Sequence, residues 1–91
     1  MYTLDSDTWV EFFSVDVAIN PNHAKCVRDA QRSRGREELA RHGFKDNEQF
    51  SYMNNAPEGV KEVAKKEATK LARRIEKATG VKMEVNEGMW M

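Results

Sequence analysis

The feature that most restricts the fold of this chain is a long amphipathic segment, residues 58–79. At 100° per residue its apolar side chains gather into one stripe, and its charged side chains occupy the remaining surface. The stripe comprises Val60, Val63, Ala64, Ala68, Leu71, Ile75 and Ala78. Asn55 and Glu58 have capping-box spacing at its start, and Gly80 suits the left-handed residue that closes a helix. The segment therefore predicts a helix whose stripe covers an apolar surface elsewhere in the chain.

That surface is supplied by segments in which apolar and polar residues alternate, as they do along a half-buried strand. In TWVEFFSVDVAI the alternation places Phe12 and Phe13 on opposite faces, and in NEQFSYM it places Phe50 and Tyr52 on one face. The predicted strands are residues 8–19, 47–53 and 81–85, with residues 89–91 as a candidate fourth strand after a turn at Asn86-Glu87-Gly88.

The segment between the first two strands predicts a helix with an interruption. Asn20 can cap it, and Pro21 fits the first helical position, where its missing N–H has no partner. The apolar stripe of this helix is His23, Cys26, Val27 and Ala30, and it continues into the charged residues Arg34, Glu37 and Arg41. Because one straight helix would bury those charges, and glycine costs about 1 kcal/mol in a helix interior relative to alanine, we expect a break or kink at residues 32–35. A second short helix, residues 36–42, then turns Leu39 inward.

Together these segments predict an α+β fold with the element order β-α-β-α-β. A small sheet of three or four strands is covered on one face by two helices, the first of them broken or kinked near residues 32–35. With 91 residues, 40% apolar and 33% charged, the chain has the size and composition of a single globular domain, residues 1–91. A chain this short buries only about 60% of the surface that its unfolded form exposes, which disfavours a deep substrate cavity.

Charged residues are sorted along the chain although their formal sum is zero. Residues 20–45 and residues 61–80 each hold seven bases against three acids, whereas residues 1–19 hold four acids and no base. Such sorting can build a positive face on a neutral protein. No segment has the roughly 20 apolar residues of a membrane helix, the first residues lack a signal-peptide pattern, and a lone cysteine forms no internal disulfide. We therefore expect a soluble, cytoplasmic protein without a membrane partner.

Four cations of residues 58–79 form a ridge away from the apolar stripe. This cationic ridge consists of Lys66, Lys70, Arg73 and Lys77, at the spacing i, i+4, i+7, i+11. Its length is about 16 Å at ~1.5 Å rise per residue. At three- and four-residue separations the helix has seven repulsive and five attractive charge pairs, so its own stability gains nothing from this arrangement. The ridge suits a row of phosphates or carboxylates on a partner, and the alternative is a solvated face, because surface charges often contribute nothing measurable.

A second basic feature is RSRGR, residues 32–36, which places Arg32, Arg34 and Arg36 around the suspected helix break. Guanidinium groups bind phosphate and carboxylate through two parallel hydrogen bonds, and a glycine-containing turn can direct backbone N–H groups at an anion. We predict that these arginines bind the partner together with the cationic ridge if both lie on one side of the molecule. The alternative is an ordinary exposed loop.

No group of residues has the pattern of a catalytic, metal or cofactor site. His23 and Cys26 lie three residues apart on one helical face. However, a zinc site needs three or four ligands, and a thiolate nucleophile needs a base and an oxyanion site. We interpret Cys26 as a small core residue and expect neither catalytic residues nor a metal nor a cofactor.

These features favour a small binding module without enzymatic activity, of the regulator or inhibitor type and of a size that phages also carry. Its basic face would engage an acidic protein or a nucleoprotein. The first alternative is direct DNA or RNA binding through phosphate contacts, whose affinity would fall steeply with salt. A small enzyme is the least favoured alternative. Large apolar residues near both ends, Trp9 and Trp90 among them, would also serve a homodimer interface.

Overall fold

The computed structural model of the protein describes residues 8–90, which form one small antiparallel sheet and two helices. In chain order the elements are β1 (Val10–Val17), α1 (Lys25–Arg41), β2 (Glu48–Met53), α2 (Glu58–Thr79) and β3 (Met83–Trp90). β1 is the central strand, and both of its neighbours pair with it antiparallel in the order β2-β1-β3. The predicted α+β class and the order β-α-β-α-β are confirmed.

The two faces of the sheet differ because side chains alternate along each strand. On the inner face Phe13 lies opposite Phe50 of β2, and Val15 lies opposite Val85 of β3. Both helices pack on this face and complete one buried cluster around Phe13. Its buried members are Phe13, Val15, Val17, Leu39, Ala68, Ala72, Ile75 and Met83. The described residues therefore share one core, to which both helices and the sheet contribute.

α1 is one uninterrupted helix, so the predicted break at residues 32–35 is wrong. Gly35 lies inside α1 and is buried against Val17 of β1. A Cβ at position 35 would come within 2.6 Å of Val17 Cγ1, so the glycine permits close packing of helix on sheet. The charges are not buried either, because Gly35 and Leu39 are the buried residues of α1 while Arg34 and its charged neighbours on the stripe stay exposed.

α1 begins later than the sequence predicts, and α2 lacks its predicted N-cap. Asn20 Oδ1 accepts a hydrogen bond from the backbone N–H two residues ahead (2.9 Å), and α1 begins only at Lys25. Such local bonds form turns that compete with helix capping. In α2 Pro57 takes the N-cap position and no side chain caps the helix, so the predicted capping box of Asn55 and Glu58 is wrong. Proline disfavours helical backbone at the residue before it, which keeps the helix from starting earlier.

β3 runs straight through Asn86-Glu87-Gly88, so the predicted turn and fourth strand are wrong. Gly88 lies opposite Phe12 of β1, where a Cβ would collide with the phenyl ring. The glycine thus serves a close approach inside the sheet rather than a turn. Trp90 lies beside Phe12 with ring centroids 5.5 Å apart and remains 58% exposed. These rings occupy the outer face of the sheet, opposite the face on which the helices pack.

α2 packs against all three strands of the sheet. Ala68, Ala72 and Ile75 are buried, and Gly80, with a φ of 77°, ends the helix in the left-handed conformation as predicted. The prediction that the whole apolar stripe belongs to the core is wrong for its first residues, because Val60 and Val63 remain 44% and 59% exposed. Neither helix in the described part of the chain is sufficiently long and apolar to cross a membrane.

Candidate functional site

The cationic ridge lies on the surface of α2 that is turned away from the sheet. All four of its side chains are exposed, because the buried residues of α2 occupy the opposite side of the helix. Lys70 Nζ is 3.8 Å from Glu67 Oε1, and both side chains are exposed. Within residues 8–90, Lys66, Arg73 and Lys77 have no carboxylate within 4.0 Å. Most of the ridge charge is therefore available to a partner.

The ridge borders a shallow hollow on α2 of about 390 Å³. Thr69 is the partly buried residue of the hollow, and its hydroxyl donates to the backbone oxygen of Lys65 (2.9 Å). The charged side chains around it are Lys65, Lys66, Lys70 and Arg73, with Glu62 as the one acid of the lining. Ammonium and guanidinium groups at this spacing can hold a carboxylate or phosphate by charge-assisted hydrogen bonds. Lys65 is not among the predicted contact residues, and its position four residues before Thr69, on the same helical face, was the available signal.

Two of the α1 arginines are paired with acids of the chain itself. RSRGR lies inside α1, so its predicted turn is wrong. Arg36 forms an ion pair with Asp46, and Arg32 Nη1 is 3.6 Å from Asp29 Oδ1. Both arginines line a cleft of about 190 Å³ that also contains the carboxylates of Asp16, Asp46 and Glu84. Their charge is thus largely balanced where they lie.

Arg34 lies in a different hollow from the other two arginines, lined also by Glu38 and Lys82. Both helices pack on the same face of the sheet, but the α2 hollow shares no lining residue with either hollow at α1. The structure therefore brings Lys66, Lys70 and Arg73 together in one hollow. The three α1 arginines lie in two other hollows.

A cavity of about 620 Å³ is a groove between α2, β2 and the loop that joins α1 to β2. We call it the edge groove, because β2 is an edge strand of the sheet and no residue of β1 or β3 lines it. Its apolar wall is formed by Phe44, Phe50, Leu71 and Ile75. Its charged rim is formed by Lys45, Glu48, Glu67, Lys70 and Arg74. Lys70 lines both the groove and the α2 hollow, so the two are neighbours.

Phe44 is held in the edge groove by the turn that ends α1. Gly43 has a φ of 79°, a left-handed conformation that favours glycine, and Phe44 N–H donates to Leu39 O (2.9 Å). The Arg74 guanidinium carbon then lies 6.0 Å from the centre of the Phe44 ring. The sequence does not predict this groove, because its walls come from segments that are distant in the chain.

The first turns of α1 contribute little to the core. Cys26 is exposed and Val27 is 41% exposed, so the prediction of Cys26 as a core residue is wrong. His23 precedes the helix, and its Nδ1 lies 3.2 Å from Gln31 Nε2. Residues 8–90 contain no group of three or more His, Cys, Asp or Glu side chains with the geometry of a metal site.

The fold raises the pKa of Tyr52 in β2. Its ring stacks on Phe13 with centroids 5.7 Å apart, and it lies opposite Glu11 in the strand register. Loss of hydration raises the pKa of the Tyr52 hydroxyl above its usual 10.0, and the negative charge of Glu11 raises it further. The Tyr52 hydroxyl therefore stays neutral to a higher pH than that of a free tyrosine.

Comparison with known proteins adds no relative to these observations. No protein-family model matches the chain, and no curated protein or solved structure matches it. Function must therefore be inferred from the geometry and charge of the surface.

Proposed function

We propose that the protein is a small binding module that engages an acidic protein through the outer surface of α2, and that it acts by contact rather than by catalysis. The observation that supports this is the cationic ridge, of which Lys66, Arg73 and Lys77 have no acidic partner within residues 8–90. Neighbouring cations of one sign attract and orient an acidic surface. Such a module would work as a regulator or inhibitor. We place it in the cytoplasm, because reducing conditions would keep the exposed Cys26 thiol free.

Two features favour a protein partner over a nucleic acid. Glu62 and Glu67 lie beside the ridge and would repel a continuous row of phosphates. Val60 and Val63 are exposed near the start of the same helix, and apolar contacts suit a protein interface. The alternative is direct DNA or RNA binding, since a ridge of about 16 Å can follow several phosphates.

Site-specific photocrosslinking tests the proposal in the cell that naturally makes the protein. A photoreactive amino acid replaces Thr69 in the α2 hollow, and a control protein carries it at Ser33, an exposed position of α1. We expect a protein adduct at position 69 that resists nuclease treatment and is absent at position 33. A nucleic-acid adduct would instead support the alternative, and equal labelling at both positions would overturn the proposal.

Charge-reversal variants then distinguish attraction of the partner by the ridge from attraction by the net charge of the protein. The triple variant Lys66→Glu, Arg73→Glu, Lys77→Glu should lose the adduct at position 69. A matched triple variant with the same change in net charge should keep it: Lys25→Glu, Arg41→Glu and Lys82→Glu, all exposed. Loss of the adduct in both triple variants would mean that overall charge, and not the ridge, attracts the partner.

A further inference from the structure

β2 is an edge strand of the sheet that residues 8–90 form. In the strand order β2-β1-β3, no strand within residues 8–90 pairs with the outer side of β2. Such an edge presents backbone N–H and C=O groups that a strand from another chain can pair with.

The two edges of the sheet differ in how well they are protected against such pairing. β2 contains a single charged residue, Glu48, and no proline. β3, at the other edge, contains Glu84, Glu87 and Gly88. Charges and glycine weaken an edge as a template for pairing. The edge of β2 is therefore the one better suited to receive a further strand.

A strand added beside β2 would bring its inward side chains to the edge groove, because the groove is lined by β2 and by α2, which packs on the inner face. A fourth strand would run about 4.8 Å beyond β2, with every second side chain on the inner face of the sheet. Those side chains would meet Phe44, Phe50 and Leu71, the apolar wall of the groove. A volume of about 620 Å³ leaves room for bulky side chains there.

The charged rim of the groove indicates which sign of charge the added strand would carry. Lys70 and Glu67 contact each other at 3.8 Å, which leaves Lys45 and Arg74 against Glu48, a net positive rim. The groove also adjoins the cationic ridge through Lys70. Carboxylates on the added strand would thus be attracted both at the rim and by the ridge.

We infer that β2 receives an extended acidic segment of a partner protein as a fourth strand, whose inward apolar side chains fill the edge groove. The inference rests on the proposed function for the acidic character of the partner. Backbone pairing with β2 would supply affinity, and the groove would select aromatic or branched apolar side chains. The basic surface of α2 then attracts the partner, and the sheet edge holds it.

A second copy of this chain fits the same edge less well. Two β2 strands paired about a two-fold axis would carry both inner faces on one side of the joined sheet. The two α2 helices would then lie side by side and bring their cationic rims together. Like charges in such an interface oppose association.

Titration of the full chain with synthetic peptides tests the inference. The probe is a peptide of about eight residues, a usual strand length, with Val or Phe at its central inward positions and Glu at the inward positions nearest its two ends, where the charged rim lies. We expect this peptide to slow hydrogen exchange of the β2 amides, Glu48–Met53, and to shift the NMR signals of Phe44 and Phe50. The same peptide with Lys in place of Glu should bind at least about tenfold more weakly. A peptide with proline at two central positions should give no protection of the β2 amides.

Variants of the rim locate the binding site. The double variant Lys45→Glu, Arg74→Glu should weaken the acidic peptide about tenfold, because it reverses two charges beside the strand. The matched double variant Lys25→Glu, Lys82→Glu should change affinity by less than about twofold, because both changes lie away from the groove. Equal losses in the two double variants would overturn the assignment to the edge groove.

The outcomes also separate this inference from the proposed function. Shifts confined to the ridge, without protection of β2, would overturn strand addition and leave the ridge as the contact surface. Failure of every peptide to bind would overturn the inference as well, while the crosslink at position 69 would still decide the proposed function. Protection of β2 that rises with protein concentration alone would show self-pairing and contradict the choice of a foreign strand.

Discussion

Gly35 in the middle of α1 lies directly against Val17 of β1. A Cβ at position 35 would come within 2.6 Å of Val17 Cγ1 and 3.0 Å of Val17 Cγ2. Because Leu39 is the other buried residue of α1, this contact sets how closely the helix approaches the sheet.

Gly35→Ala should destabilise the protein by up to about 2 kcal/mol. Overpacking of a core costs roughly 1–3 kcal/mol, and the gain of about 1 kcal/mol in helix propensity offsets only part of that cost. Urea unfolding measures the difference, and Val17→Ala in the same chain should recover part of the loss because it removes the colliding methyl groups. Gly59→Ala is the matched control, since no atom lies within 4 Å of a Cβ there. It should raise the free energy of unfolding by about 0.5–1 kcal/mol. A stabilised Gly35→Ala protein would contradict the close packing.

Leu39→Ala should loosen α1 before it affects the rest of the fold. Leu39 is fully buried, and removing such a side chain costs about 2–5 kcal/mol. Since the other buried side chains of the cluster belong to α2 and the sheet, hydrogen exchange should accelerate in α1 more than in β1. Uniform acceleration across both elements would show that α1 unfolds only together with the core.

Lys70→Glu should raise stability while it lowers partner affinity. The change turns three repulsive pairs, with Lys66, Arg73 and Arg74, into attractive ones and makes one repulsive pair with Glu67. At ~0.2–0.5 kcal/mol per pair, the net gain is about 1 kcal/mol. Thermal unfolding measures the gain, and binding of the acidic peptide or of the crosslinked partner measures the loss. A variant that is more stable and binds equally well would show that Lys70 makes no contact with the partner.

Tyr52 should make the protein less stable as the pH rises above about 10. The pKa of Tyr52 is raised in the folded state, so above the unfolded value of 10.0 the unfolded chain releases the phenol proton first. The contribution of Tyr52 to the free energy of unfolding is fully present below pH 10 and is lost as the pH rises through its pKa in the folded state. Urea unfolding across this range should show a steeper decline for the native protein than for Tyr52→Phe, in which Tyr2 is retained as the other tyrosine. Parallel curves would exclude the role of Tyr52, because lysines titrate alike in both proteins.

Much of the architecture follows from local patterns in the sequence. The alternation around Phe12 and Phe13 predicts a strand with two different faces, and the period of residues 58–79 predicts α2. These predictions succeed because both patterns arise from the geometry of a single element. The cationic ridge is predicted for the same reason, since four residues at helical spacing share a surface wherever the helix lies.

The tertiary structure alone decided which residues of other segments contact each of these locally predicted features. Gly35 and Gly88 resemble a break and a turn in the sequence, but each lies inside a regular element against Val17 or Phe12. Arg36 resembles a free contact residue, but Asp46 pairs with it. The edge groove joins Phe44, Phe50 and Leu71 from three segments. Long-range packing sets these relationships, and no periodicity within one segment carries them.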